Sequence, residues 1–244
     1  MTASGWPLVE NHLAFFAAHH GAVTRTADSV TMTARAEALS CWLPRTPDAR
    51  LPPSAHTVRV LPGAGPDWGD RLAAAGLRPD GALLYLTRRP DLPIPGAATR
   101  TAVDRVVDAA DAEVFAGVQE AGFREPEDDA EAQGWWRRAF TDSARRNRAA
   151  PGQALFLARV AGVPAAVALG VHTGGVYGVY AVATLPEFRR RGLATALLER
   201  ARADAVARGA DRLALQVAEG SAAERLYRGL GFTPAFRTPG YTRR

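Results

Sequence analysis

The chain has 244 residues, 47% of them apolar, enough for one large domain or two small ones around a sizeable core. Its formal net charge is +5 and all 30 of its basic residues are arginines; self-acylation of lysine is therefore excluded, and the bias reads as composition rather than as a nucleic-acid-binding signature. The single Cys41 excludes an internal disulfide, no His/Cys spacing suits zinc or another metal, and no uninterrupted apolar run approaches the roughly 20 residues of a membrane-spanning helix.

In chain order, "GWPLVENHLAFFAAHH" predicts an amphipathic helix. Glu10, Asn11 and His12 interrupt its apolar run and it lacks a basic leading segment, so it does not read as a secretory leader and the cytoplasm is the expected compartment. Next comes "TVRVLPGAGPDWGDRLAAAGLRPDGALLYLTRR": a strand, a turn, a helix with Arg-Leu, then Gly76-Leu77 and a Tyr followed by Arg-Arg. Between Thr87 and Arg100, Pro90, Pro93 and Pro95 forbid a helix and favour an extended connector. The domain boundary is placed at Pro95, giving regions 1–95 and 96–244.

The second region alternates strand and helix signals. "RTAVDRV", "QALFLARVA", "PAAVALGVH", "GVYGVYAVAT" and "DRLALQVA" read as strands. "VDAADAEVFAGVQEAG" and the segments 129–148, 192–208 and 221–230 read as helices. Turn glycines in "VAGVPA" and "HTGGVY" make the second to fourth strands antiparallel neighbours. The next link contains a helix and suits a parallel crossover. The expected fold class is α/β (α+β): a mixed, mostly antiparallel central sheet flanked by helices, preceded by a smaller α/β domain. The closing stretch "RLALQVAEGSAAERLYRGLGFTPAFRTPGYTRR" echoes the first-half stretch, with Gly231-Phe232 over Gly76-Leu77. Two readings stay open: a degenerate duplicated half, or convergence within a biased composition. The first half has no counterpart of "RRRGLA", so no cofactor is expected there.

That arginine stretch is the most informative part of the chain. In "LPEFRRRGLATALLERA" three arginines, a glycine and a small residue precede an apolar, helix-like run with Leu193, Leu197 and Ala201 on one face. The first turn of a helix offers backbone N–H groups without intrahelical partners and the positive end of the dipole, a natural phosphate site. Gly192 and Ala194 keep side chains out of the way, and Arg189, Arg190 and Arg191 add charge. Alone, the stretch also fits a solvated helix entry. It matches neither the P-loop nor the G-x-G-x-x-G fingerprint.

The stretch from Val176 to Phe232 resembles the cofactor half of the GNAT superfamily of N-acetyltransferases. The family's R/Q-x-x-G-x-G/A loop is matched by Arg189, Gly192 and Ala194, and its later Leu-Tyr and Gly-Phe pairs by Leu226, Tyr227, Gly231 and Phe232. The resemblance runs from about Thr99 to Phe236. It implies acetyl-CoA as cosubstrate, an amine as acceptor, and direct attack in a ternary complex. Backbone groups of Val182, Ala183 and Thr184 would serve the pantetheine arm and thioester carbonyl; the loop amides of Arg190, Arg191, Gly192, Leu193, Ala194 and Thr195 would hold the pyrophosphate. Tyr227 would protonate the departing thiolate, since a phenol of ordinary pKa about 10 can serve a thiol near 8.5.

Two departures from the family pattern stand out. The strand Val176 to Thr184 carries no carboxylate to act as base; Tyr177 and Tyr180 face opposite sides, and Tyr180, expected to share a face with Val182 and Thr184, is the remaining catalytic candidate, relaying a proton through water, lining the acceptor site or packing. His172 is read as structural. After the next strand, Ser221 stands where the family often has Asn; it either contacts CoA or caps a helix, with Glu224 completing a capping box. In "QEAGFREPEDDAEAQGWWRRAF", Glu120, Glu125, Glu127, Asp128 and Asp129 either attract a cationic amine or complement a helix dipole. Of Trp135 and Trp136, adjacent on a helix, at most one is expected to wall a cleft and the other to enter the core. Nucleic acid and membrane are not expected partners. The first half is expected to close the acceptor cleft or to form a homodimer contact. A non-catalytic acyl-CoA sensor is the rival reading, because the usual base is missing.

Overall fold

The computed structural model describes residues 5–35, 40–97, 101–124 and 130–243. In chain order the elements are α1 (Trp6–His19), β1 (Gly21–Arg25), β2 (Ser29–Ala34), β3 (Cys41–Pro44), β4 (Thr57–Arg59), α2 (Trp68–Ala74), β5 (Leu77–Arg88), β6 (Ala102–Arg105), α3 (Ala109–Phe123), α4 (Ala130–Asn147), β7 (Gln153–Val160), β8 (Val163–Thr173), β9 (Val176–Thr184), α5 (Leu193–Ala207), β10 (Arg212–Ala218), α6 (Ala222–Gly229) and β11 (Thr233–Arg243). The fold is mixed α/β, with mostly antiparallel strands and flanking helices. Strand β3 runs parallel to β4, and β1–β2, β2–β3, β4–β11, β5–β11, β6–β7, β7–β8 and β8–β9 are antiparallel pairs. Among the described residues no helix is long and apolar enough to cross a membrane.

Contacts divide the chain into two compact units, one of Met1–Thr87 with Ala214–Arg244 and one of Arg88–Leu213. This grouping by packing differs from the division at Pro95 by sequence pattern.

In the unit Arg88–Leu213 the strands run β9-β8-β7-β6, each antiparallel to its neighbour. Both hairpin turns have two residues at positive φ, Ala161 (50°) with Gly162 (82°), and Gly174 (51°) with Gly175 (79°). That backbone matches the right-handed twist of the flanking strands, which is why glycines mark these turns. The central stretches of β7 and β8 are buried continuously rather than alternately, as expected for strands covered on both faces. Asp108 starts α3, its side chain accepting from the Asp111 N–H at 2.7 Å. Tyr177 of β9 points toward α5 and donates to the Asp204 carboxylate at 2.8 Å. A Cβ at Gly170 would lie 2.0 Å from the Tyr177 hydroxyl oxygen, so the glycine makes the space for that ring.

In the other unit the strand order is β1-β2-β3-β4-β11-β5-β10. Trp42, Val58, Trp68, Leu72 and Leu77 form a buried core between strands and α2. β11, which contains Pro234 and Pro239, is not among the strands expected from sequence. The structure places both prolines beside irregularities in the β5–β11 register, where a missing N–H is tolerated. The strand–helix–strand order β4-α2-β5 recurs as β10-α6-β11. With Thr57 laid over Arg212 and Gly76 over Gly231, Leu83 falls on Thr238, and Leu83 pairs with Thr238 in the antiparallel β5–β11 ladder. Corresponding residues facing each other across an antiparallel pair is the signature of a local two-fold.

Candidate cofactor and acceptor site

The expected cofactor residues Val182 to Thr195 all lie in one unit, on β9, the loop after it and the head of α5. Along β9 the register with β8 slips: Ala183 faces Val167 and Tyr180 faces Leu169, so Ala181 and Val182 together oppose Ala168. Ala181 sits at φ 51°. This is a β-bulge, which drops backbone groups out of the β8 ladder and re-aims the strand. It also reverses side-chain parity beyond it. Tyr180 therefore shares a face with Ala183, not with Val182 and Thr184 as simple alternation suggests. Tyr180 is buried, with 6% of its surface exposed.

After β9 the chain makes a 3-10 turn, Pro186–Phe188, then turns at Arg190 (φ 62°) and Gly192 (φ 78°) before α5 begins. Gly192 is the N-cap and supplies no side-chain cap. The first intrahelical bond runs from the Ala196 N–H to the Gly192 carbonyl, so the N–H groups of Leu193, Ala194 and Thr195 have no helical acceptor. Leu193 and Thr195 bury their side chains, so both contribute through backbone alone. A Cβ at Gly192 would meet no protein atom within 4 Å. The glycine is required by its left-handed φ, and the space it leaves opens away from protein.

The three arginines do different things. Arg189 donates from Nε to the Thr184 carbonyl (3.2 Å) and from Nη2 to the Gly122 carbonyl of α3 (3.3 Å). Arg191 donates to the Glu187 carbonyl at 3.1 Å and lies over the Phe188 ring. Arg190 is exposed.

Of the acidic residues expected to face the acceptor, Glu120 of α3 is buried and clamped by Arg124, which donates to Oε1 from Nη2 (2.7 Å) and Nε (3.0 Å). Glu125, Glu127, Asp128 and Asp129 lie outside the described residues. Trp135 and Trp136 do not separate into core and cleft: both are half-buried, and their rings meet edge to face at 4.8 Å. His172 pairs with Tyr177 at the far end of β8. Six residues of strand, roughly 20 Å, separate that end from Ala183, so His172 is no base for chemistry at the bulge.

Ser221 and Tyr227 belong to the other unit. Ser221 caps α6, accepting from the Glu224 N–H at 3.1 Å, while the Glu224 carboxylate accepts from the Gly220 N–H at 2.7 Å. The box closes one residue earlier than the sequence pattern suggests. Tyr227 is buried, edge-on to Phe232, and burial pushes its hydroxyl up to about 12; it is not the unperturbed phenol expected from sequence, and it stays protonated at neutral pH. Burial pushes the Cys41 thiol up to about 12 as well, so it is not an acyl-accepting thiolate. Gln216 was not singled out by its sequence, although it is the polar residue in the apolar run "LALQVA". Its Nε2 is shielded from solvent and has no protein partner among the described residues, an open polar valence of the kind that a ligand fills.

The profile of the acetyltransferase (GNAT) family matches residues 112–232. No curated protein sequence matches the chain. Among solved structures, a GCN5-related N-acetyltransferase from Kribbella flavida aligns with a TM-score of 0.67 and 18% identity, covering 99% of this chain and 96% of that one. A GCN5-related N-acetyltransferase from Sphaerobacter thermophilus aligns with a TM-score of 0.60 and 21% identity, over 78% of this chain and 60% of that one. A tandem GNAT protein from the clavulanic acid biosynthesis pathway aligns with a TM-score of 0.57 and 15% identity, over 90% and 81%. At these identities the likeness is one of fold.

Proposed function

The chain belongs to the GNAT superfamily of acetyltransferases, and from that premise we propose that it transfers an acetyl group from acetyl-CoA to a primary amine of a small molecule or peptide. The observation that carries this reading is the head of α5. A left-handed glycine N-cap, no side-chain cap and free first-turn N–H groups facing open space suit a pyrophosphate. The bulge at Ala181 and Val182 supports the second element, backbone donors for the pantetheine arm and for the thioester oxygen as charge develops on it.

In the proposed reaction the amine lone pair attacks the thioester carbonyl carbon, the new C–N bond forms as the C–S bond breaks, and the amine gives up one proton. The family motif assigns protonation of the CoA thiolate to Tyr227. Its raised pKa keeps it in the acid form, though it makes a weaker acid than an exposed phenol. β9 carries no carboxylate, so the amine proton leaves through solvent or through a group outside that strand. The first half is assigned as a degenerate counterpart of the C-terminal strand–helix–strand, a reading supported by the pairing of Leu83 with Thr238.

The test is thiol release from acetyl-CoA in the presence of a panel of amines and peptide N-termini. Acceptor-dependent release supports the transferase. Tight CoA binding with no release above the acceptor-free rate across the panel favours the sensor instead.

A further inference from the structure

We infer that Arg189 is a positioning residue: a strut that ties the loop ahead of Gly192 to the last turn of α3, so that the loop and that turn move together. Sequence pattern counts it among the phosphate-facing arginines. In the structure its guanidinium donates from Nε and Nη2 to two backbone carbonyls from different elements, Thr184 at the end of β9 and Gly122 in the last turn of α3. The Gly122 carbonyl is one of the last four of its helix and has no partner within it, so Arg189 fills that gap and places positive charge at the helix C-terminus, where the dipole favours it.

The contact sits where α3 can pass on a displacement. A Cβ at Gly122 would lie 2.9 Å from the Ala183 Cβ and 3.3 Å from the Thr184 N, so α3 meets the bulged end of β9 without a spacer. Arg124, which closes α3 and leads into the connection to α4, is clamped to buried Glu120. A short chain of contacts therefore runs from the loop ahead of Gly192, through Arg189, to the turn of α3 from which the next segment departs. Movement of the loop backbone reaches that turn by way of the guanidinium, while Arg190, which makes no hydrogen bond among the described residues, stays available to an anion.

The coupling to cofactor rests on the acetyl-CoA reading; the strut itself does not. The experiment is amide hydrogen exchange over residues 118–124 in the full chain, free and with CoA, for wild type, Arg189→Gln and Arg190→Gln, alongside CoA affinity by calorimetry. In the free protein Arg189→Gln raises exchange there about five- to ten-fold, the effect of losing charge-assisted hydrogen bonds of ordinary strength, and Arg190→Gln leaves it unchanged. With saturating CoA, wild type gains protection at 118–124 and Arg189→Gln does not, although its CoA affinity stays within about three-fold, since Nε and Nη2 of the strut are directed at protein carbonyls rather than at the cofactor. Unchanged exchange in free Arg189→Gln overturns the strut. A more than ten-fold loss of CoA affinity in that variant makes Arg189 a phosphate ligand and overturns the positioning role. Wild type failing to bind CoA rejects the functional reading, and the free-protein comparison still decides the strut.

Discussion

Lowering the pH from 7 to 5 should destabilise the unit that holds α1, and His12 is the reason. Its side chain is half-buried and its Nδ1 lies 2.7 Å from the Tyr85 hydroxyl. Burial first, then the neighbouring His20 and Arg59, lowers its pKa from 6.5 to about 4. Because the folded pKa lies below the unfolded one, the two states bind equal protons above about pH 6.5. Between 6.5 and about 4 the unfolded chain takes up a proton that the folded chain refuses, so stability falls as the pH falls. For one such group the loss is about 2 kcal/mol at pH 5 and about 3 kcal/mol once the pH is below both values. His20, also lowered to about 4 by burial and by Arg35, adds a contribution coupled to the first. The assay is urea unfolding between pH 7 and 5, followed by the fluorescence of buried Trp42 and Trp68. That window lies above the ordinary carboxylate range, so histidines dominate it. His12→Gln should remove about half of the pH dependence. Equal slopes for wild type and His12→Gln, or a wild type equally stable at pH 5 and pH 7, would refute the reasoning.

Three further outcomes follow from local geometry. Gly122→Val forces atoms into the contact with Ala183 and Thr184 and should cost about 1–3 kcal/mol by overpacking, read as a shift in urea midpoint. Tyr177→Phe removes a donor that, with Arg208, holds the Asp204 carboxyl low against the opposing effect of burial; it should cost about 1–2 kcal/mol and raise the Asp204 pKa, measurable by carboxyl NMR titration. Ser221→Ala removes the α6 cap at a cost of about 1 kcal/mol; CoA affinity within two-fold of wild type would mark Ser221 as a cap, whereas a larger loss would make it a ligand.

Periodicity and turn chemistry made much of this protein legible from sequence. The apolar runs of β7, β8 and β9 and the paired turn positions at Ala161-Gly162 and Gly174-Gly175 place one antiparallel sheet without any long-range information. β11 was not legible, because two prolines in a strand are admissible only where a partner's register slips, and the slip is a property of the pair. The bulge at Ala181 leaves no mark in the sequence either, since alanine carries no preference for positive φ, yet it decides which face Tyr180 joins. The loop at Gly192 was legible as a glycine-led helix entry through its residue types. The separate tasks of its arginines were not, because the partners of Arg189 include a carbonyl on a helix far away in sequence.

The central claim is that the free amides at the head of α5 hold the CoA pyrophosphate. Calorimetric titration of CoA into wild type, Gly192→Ala and Gly192→Val tests it most directly, with urea unfolding to establish that each variant is folded. A side chain at Gly192 strains a left-handed backbone and projects into the open space above those amides. The account predicts measurable CoA binding by wild type, weaker binding by Gly192→Ala, and loss of at least about 100-fold in affinity by folded Gly192→Val, as expected when several charge-assisted hydrogen bonds are displaced. A folded Gly192→Val that binds CoA as tightly as wild type would contradict it.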